Sequence, residues 1–163
     1  MPQIKTARLL FTDANAVMPL PQDVVTLKRK LGGTVRGKQI DHEPDLRAIL
    51  DLGEFIAPKG MRRVRSHDGC HWNVAKLYQR GMLDGIVIGF AQQKTNEWWQ
   101  HSWGWSAGKV VETMACYYHV VSYYGWKLSP AQSDEFANFV WDEDDGFSTC
   151  DPVRFTTQEE EWC

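Results

Sequence analysis

The sequence predicts an α+β fold, and three observations carry that expectation. Apolar residues recur at helical spacing over 21–33 and 44–55, and a further helical segment starts at Ser129. Residues 85–126 are dense in β-branched and aromatic side chains and are cut by the turn segments QKTN and SAG. Between these regions a helix opens at Cys70. The expected order is N-terminal helices, a cysteine-bearing helix packed on an antiparallel sheet, then a closing helix. One domain, 1–163, contains all of it: a helical N-terminal part (1–60), a core of Cys-helix and sheet (61–126), and a closing helix with a tail (127–163).

In chain order, residues 7–11 form a short β-like run before a turn-rich segment. In PQDVVTLKRKLGG, Pro21 suits a first helical turn, Val24, Val25, Leu27, Lys28 and Leu31 make the stripe, and Gly32-Gly33 stops it. TVRGKQIDHE is an extended connection. PDLRAILDLGEF is a second helix with Leu46, Ile49, Leu50 and Phe55 at core spacing, and PKG at 58–60 is a turn. MRRVRS, 61–66, is a short strand, followed by a helix from Cys70 to about Arg80 that ends at Gly81. Val74, Leu77 and Tyr78 share the inward face of that helix with Cys70. Strands are expected at 85–92, 96–105 and 109–114, with a β-like segment at 116–126. In SPAQSDEFANFVW, Ser129 is a helix cap and Pro130 a first-turn residue, with acids early; the DEDDG segment at 142–146 is a solvated loop.

Composition removes several classes of function. A net charge of −3 gives no basic field for nucleic acid, although Arg62, Arg63 and Arg65 could hold an anion locally. No apolar run approaches the roughly 18–20 residues of a membrane span. The N-terminal MPQIKTARLLFTDANAV lacks the apolar core of a signal peptide, so a soluble, cytoplasmic chain is expected, with no nucleic-acid or membrane partner. Cysteines at 70, 116, 150 and 163 form no CxxC pair and are expected to be free thiols. Phosphate-loop, dinucleotide-turn and serine-elbow motifs are absent.

Chemistry concentrates in residues 66–113, where five of the eight tryptophans also lie. A thiol is a useful nucleophile only as thiolate, and a helix N-terminus or a neighbouring histidine lowers its pKa. Cys70 follows Asp68-Gly69 at a helix start. Gly69 would allow a tight turn and leave an amide facing an oxyanion, with Trp72 and Gln100 as further donors. Strand alternation puts Trp99, His101, Trp103 and Trp105 on one face, which makes His101 the candidate base and the three indoles candidate substrate walls. Glu112, in the next strand, would accept the other ring N–H and fix the tautomer. That requires paired residue numbers across the hairpin to sum to an odd value, as with Ser106 opposite Lys109. A three-residue SAG loop would put the two on opposite faces, and Gln100 or Asn73 would then orient the base.

With Cys70 opening a helix, GMLDGIVIGF, then HSW at 101–103 and VVETM at 110–114, the chain resembles the transglutaminase-like branch of the papain-like thiol enzymes. It departs from that pattern in having Glu112 where aspartate is usual. The resemblance implies a papain/transglutaminase-like architecture and acyl transfer through a thioester. Cys70 would be nucleophile, His101 base and then acid, and Glu112 the orienting group. The substrate would be an amide in a peptide or protein, and no cofactor is needed. Two other readings of the same residues stand beside it. One is a non-catalytic binding or inhibitor domain that uses exposed Trp98 and Trp105 and the acidic loop. The other is a metal-dependent hydrolase with His67, Cys70, His71 and His101 as ligands. In the bland reading, Cys70 is a small buried hydrophobe and His101 a core histidine.

Overall fold

A computed structural model of the chain describes residues 21–36, 45–64, 69–117 and 119–143. The expected run at 7–11, most of the connection before the second helix, His67, and the loop and tail beyond residue 143 lie outside the described residues. The elements are α1 (Pro21–Leu31), β1 (Thr34–Arg36), α2 (Leu46–Leu52), β2 (Glu54–Ile56), β3 (Arg62–Arg63), α3 (Cys70–Gln79), β4 (Gly85–Gln92), β5 (Glu97–Ser106), β6 (Lys109–Glu112), β7 (Ser122–Lys127) and α4 (Pro130–Glu143). The class is α+β, as expected. No helix among the described residues is long and apolar enough to cross a membrane.

Six strands run in the order β2-β7-β4-β5-β6-β3, and β1 joins β5 beside β6. The sheet is mostly antiparallel, as expected, with two parallel pairs that the sequence did not predict, β1 with β5 and β3 with β6. All four helices pack on one face. Val24 and Leu27 of α1, Ile49 of α2, Val74 and Leu77 of α3 and Phe136 of α4 share one core with Ile86, Ile88, Phe90 and Trp98. The opposite face carries a smaller core of Val87, Ala91, Trp103, Val110, Val120 and Tyr123, with Met61 and Tyr117 against it. β4 is therefore buried on both faces, which explains why GIVIGFA has no polar alternation.

Several local expectations change. Val25 and Lys28 face outward from α1, so its buried stripe is Val24, Leu27 and Leu31. The second helix stops at Leu52, where the Gly53 amide closes on the Ile49 carbonyl and the chain turns extended. Phe55 then lies on β2, opposite Tyr124, and is 54% exposed. Pairing with β7 has overridden a helical periodicity. Residues 116–126 are not one β segment: a 3₁₀ turn at Ala115–Tyr117 precedes β7. Ser129 does cap α4, through a capping box in which Gln132 N–H donates to Ser129 Oγ and the Gln132 side-chain oxygen accepts from Ser129 N–H. The first turn of α4 carries no acid, so Asp134 and Glu135 lie too deep to interact with the helix end.

Close strand packing depends on glycine at one point in particular. Gly89 pairs with both His101 and Gly125. A Cβ there would strike the Tyr124 carbonyl and stand 2.5 Å from the Gly125 Cα, both backbone atoms that cannot move alone. At Gly104 the three atoms nearest an added Cβ all belong to the Leu83 side chain, which can shift where backbone cannot. Gly89→Ala is therefore expected to lower the thermal midpoint well beyond Gly104→Ala, with the former costing at least the ~1–3 kcal/mol typical of overpacking. Equal melting curves for the two variants would contradict this account of the sheet.

Candidate active site

Cys70 is the first residue of α3, directly after its N-cap Gly69. Its amide belongs to the first helical turn, whose N–H groups have no carbonyl inside the helix, and the helix dipole there favours negative charge. Gly69 has φ −66° and ψ 156°, extended backbone open to any residue, so the expected need for a glycine turn is corrected. What Gly69 does provide is room. Among the described residues nothing lies within 4 Å of where its Cβ would stand.

The hairpin of β5 and β6 sets the other two groups. Ser106 pairs with Lys109, Trp105 with Val110 and Gly104 with Val111, so the paired numbers sum to an odd value. The loop is the two-residue Ala107-Gly108, with φ 49° and 75°, the double left-handed backbone of a type I′ hairpin turn. The parity condition is met, and His101 and Glu112 face the same side. His101 Nε2 lies 3.0 Å from both Glu112 carboxylate oxygens. Both residues are essentially buried, at 1% and 0% exposure.

Glu112 is held by more than the imidazole. Its Oε1 accepts the N–H groups of Thr113 (2.8 Å) and Met114 (2.9 Å), and its Oε2 accepts the Tyr123 hydroxyl at 2.7 Å. Burying a carboxylate is costly unless a partner and hydrogen bonds replace water, and here both are present. Burial and the adjacent carboxylate push the Tyr123 phenol far above its ordinary range, so it stays a donor. Tyr117, on the 3₁₀ turn, stacks on the His101 ring with centroids 3.9 Å apart and planes 12° from parallel. Neither tyrosine is predicted from the sequence as a site residue, because a three-residue turn carries no periodicity and the Tyr123 partner is non-local.

His101 projects from β5 on the face away from α3, with Val87 and Trp103, yet it interacts with Cys70. An interruption in the sheet brings the two together. On the outer edge of β5, β1 covers residues 97–99 and β6 covers 104–106, and His101 and Ser102 fall between them. The first turn of α3 stands at this opening. His71 Nδ1 lies 2.6 Å from Ser102 Oγ, and Asn73 donates its side-chain amide to Met114 Sδ at 3.4 Å. Asn73 thus ties α3 to the segment leaving β6.

With Nε2 bound to Glu112, His101 has Nδ1 for the thiol. That atom is buried and makes no protein hydrogen bond of good geometry. Sulfur and ring nevertheless lie close enough to shift one another's titration. Burial disfavours the His101 cation, but the Glu112 carboxylate and the Cys70 sulfur outweigh it and raise the imidazole to about 9. Burial likewise pushes the Cys70 thiol up, while the charge of His71 and the hydrogen bond and charge of His101 bring it well below the usual thiol range. The arrangement favours a thiolate–imidazolium pair.

The remaining expected site residues divide. Gln100 pairs with Phe90 and so lies on the α3 face, two residues before Ser102. Trp72 carries the Lys76 ammonium 3.4 Å above its ring. Trp103 is not a substrate wall: it is fully buried, and its ring fills the space over Gly125. Trp105 is partly buried, with the Lys127 ammonium 4.9 Å from its ring centre, and Trp99 is 40% exposed. Trp98, expected to be exposed, is buried in the main core. Among the described residues no three His, Cys, Asp or Glu side chains are arranged to hold a metal ion. His71, placed in the sequence reading only among possible metal ligands, instead lies 3.6 Å from the Cys70 sulfur. Comparison of the chain with protein-family profiles, with curated proteins and with solved structures finds no match, so the site stands on its own geometry.

Proposed function

We propose that this chain is a cysteine-dependent acyl-transfer enzyme that acts on an amide through a thioester. The observation that carries the reading is the joint placement of Cys70 on a helix N-terminus and His101 on a buried carboxylate, with each shifting the other's titration. The order of cysteine helix, histidine strand and acidic strand fits the transglutaminase-like resemblance, and a helix packed against a mostly antiparallel sheet is compatible with a papain-like architecture.

In this reading the Cys70 thiolate attacks the amide carbon, forming a C–S bond while the carbonyl oxygen becomes an oxyanion. The Cys70 N–H and the helix dipole stabilise that charge. His101 Nδ1–H passes its proton to the amide nitrogen as the C–N bond breaks, and the amine leaves. Water or an amine then attacks the thioester, gives a proton to His101 Nδ1, and expels the thiolate as acid or new amide is released. Glu112 keeps the ring oriented and stabilises its charged form, and Tyr117 covers one ring face.

Alkylation with iodoacetamide at pH 6, read by peptide mass spectrometry, tests the reading. Cys70 is expected to be modified well before Cys116, Cys150 and Cys163, because a thiolate persists at Cys70 where an ordinary thiol is protonated. Modification of Cys70 no faster than the others would defeat the thiol-enzyme reading.

A further inference from the structure

Two imidazoles, not one, stand at the Cys70 sulfur. His101 approaches from the sheet. His71 approaches from the helix itself, with Nδ1 3.6 Å from Sγ. Although His71 is an exposed residue, its ring is pinned. The same Nδ1 is 2.6 Å from Ser102 Oγ, and the ring meets Phe136 of α4 edge-on at 5.5 Å between centroids. Holding an exposed side chain in one orientation costs rotamer entropy. Here the contacts that hold it point its nitrogen at the reacting atom.

The anchor is also placed by the strand. Ser102 follows His101 directly on β5, so their side chains leave on opposite faces. Ser102 lies on the helix-bearing face, opposite Ile88, while His101 lies on the far face. Both sit in the interval between β1 and β6. Consecutive residues of one strand thereby address the sulfur from two sides, His101 directly and Ser102 through His71.

We propose that His71, its Nδ1 held by Ser102, is a second catalytic imidazole whose positive charge stands against the Cys70 sulfur and holds it as the resting nucleophile. Ser102 is its positioning residue. The proposal rests on the reading of Cys70 as nucleophile and adds a group that reading does not require. Among the described residues, the titratable groups that act on the sulfur are His71 from its own helix and His101 from β5, with Glu112 of β6 behind His101. From α4, His71 meets apolar Phe136, and the nearby Asp134 is engaged by the Tyr78 hydroxyl. Among the influences that lower the thiol, the charge of His71 ranks ahead of those of His101, and both act against burial.

The test is the pH profile of Cys70 alkylation in the full chain, measured for wild type, His71→Ala, His71→Gln and Ser102→Ala, with circular dichroism as the folding control. His71→Ala is expected to move the acid limb toward higher pH and to cut the rate at pH 6 by about tenfold or more. Ser102→Ala is expected to shift it less, in the same direction. His71→Gln keeps a polar side chain without the charge, and its acid limb is expected to move in the same direction as that of His71→Ala. An acid limb in His71→Ala that matches wild type overturns the proposal while leaving Cys70 as nucleophile. A wild-type profile like that of a free thiol overturns the functional reading itself. Should His71→Ala not fold, Ser102→Ala and His71→Gln decide, and an unmoved acid limb in both overturns the proposal.

Discussion

Replacing Glu112 with alanine is expected to cost roughly 3–5 kcal/mol of folding stability, the range for breaking a buried charge pair by removing one partner. The deletion leaves the buried Thr113 amide and His101 Nε2, and the part-buried Met114 amide, without their carboxylate acceptor, and leaves the Tyr123 hydroxyl only the weak Met61 sulfur at 3.2 Å. Because domains of this size have about 5–15 kcal/mol in total, urea denaturation should show a large loss or no cooperative transition. Glu112→Gln separates shape from charge. It retains an oxygen for the two amides, so much of the stability should return. Its neutral group no longer supports the His101 cation, so that imidazole should fall from about 9 and Cys70 should lose reactivity at pH 6. A glutamine variant with wild-type Cys70 reactivity would show that the carboxylate is structural only.

His101→Ala is expected to slow the nucleophile and to remove the group that passes the proton to the leaving amine. In the wild type, thiolate and imidazolium coexist from the depressed Cys70 value up to about 9, so alkylation should begin at low pH, and any acyl-transfer activity should decline as His101 loses its proton near 9. Without His101 the sulfur keeps, among the described residues, His71 and the helix end, and the acid limb should move toward that of a free thiol. At pH 6 an unperturbed thiol is ionised to well under ~1%, so alkylation could fall by up to about a hundredfold. Stability carries the same signature with its sign set by each group. The raised His101 contributes stabilisation that is complete below its usual value near 6.5 and is lost as pH rises through about 9. The lowered Cys70 contributes in the opposite sense, complete above the ordinary thiol value and lost as pH falls through its depressed one. Between about 6.5 and 9 the two contributions offset one another, so the denaturation midpoint should stay level there and decline as pH falls below about 6.5, where only the Cys70 contribution still changes; His101→Ala, which lets the thiol rise, should weaken that acid decline.

Much of this was legible in the sequence where the signal is local. Cys70 opens its helix after an extended Gly69, and Val74 and Leu77 recur at helical spacing behind it. The β5–β6 register reduces to one parity condition, and Ala107-Gly108 is short enough to satisfy it. Where pairing is distant the sequence falls silent. β1 and β3 are three and two residues long, and their parallel partners lie some fifty or more positions away along the chain. Alternation placed Trp99, Trp103 and Trp105 on one side correctly. It could not say that the smaller core and Gly125 would enclose Trp103 and leave Trp99 half outside. Nor could it identify His71, whose meaning comes from a serine 31 positions away.

The tight reversal at Ala107-Gly108 has a consequence well removed from the sulfur. It works as a phase-setter: lengthening it by one residue would rotate Glu112 through half a turn of the pleat and strand the imidazole without its counter-charge, though no reacting group had been touched. A map of loss-of-function substitutions should therefore carry a remote hot spot at Gly108, where a β-branched side chain resists the left-handed backbone.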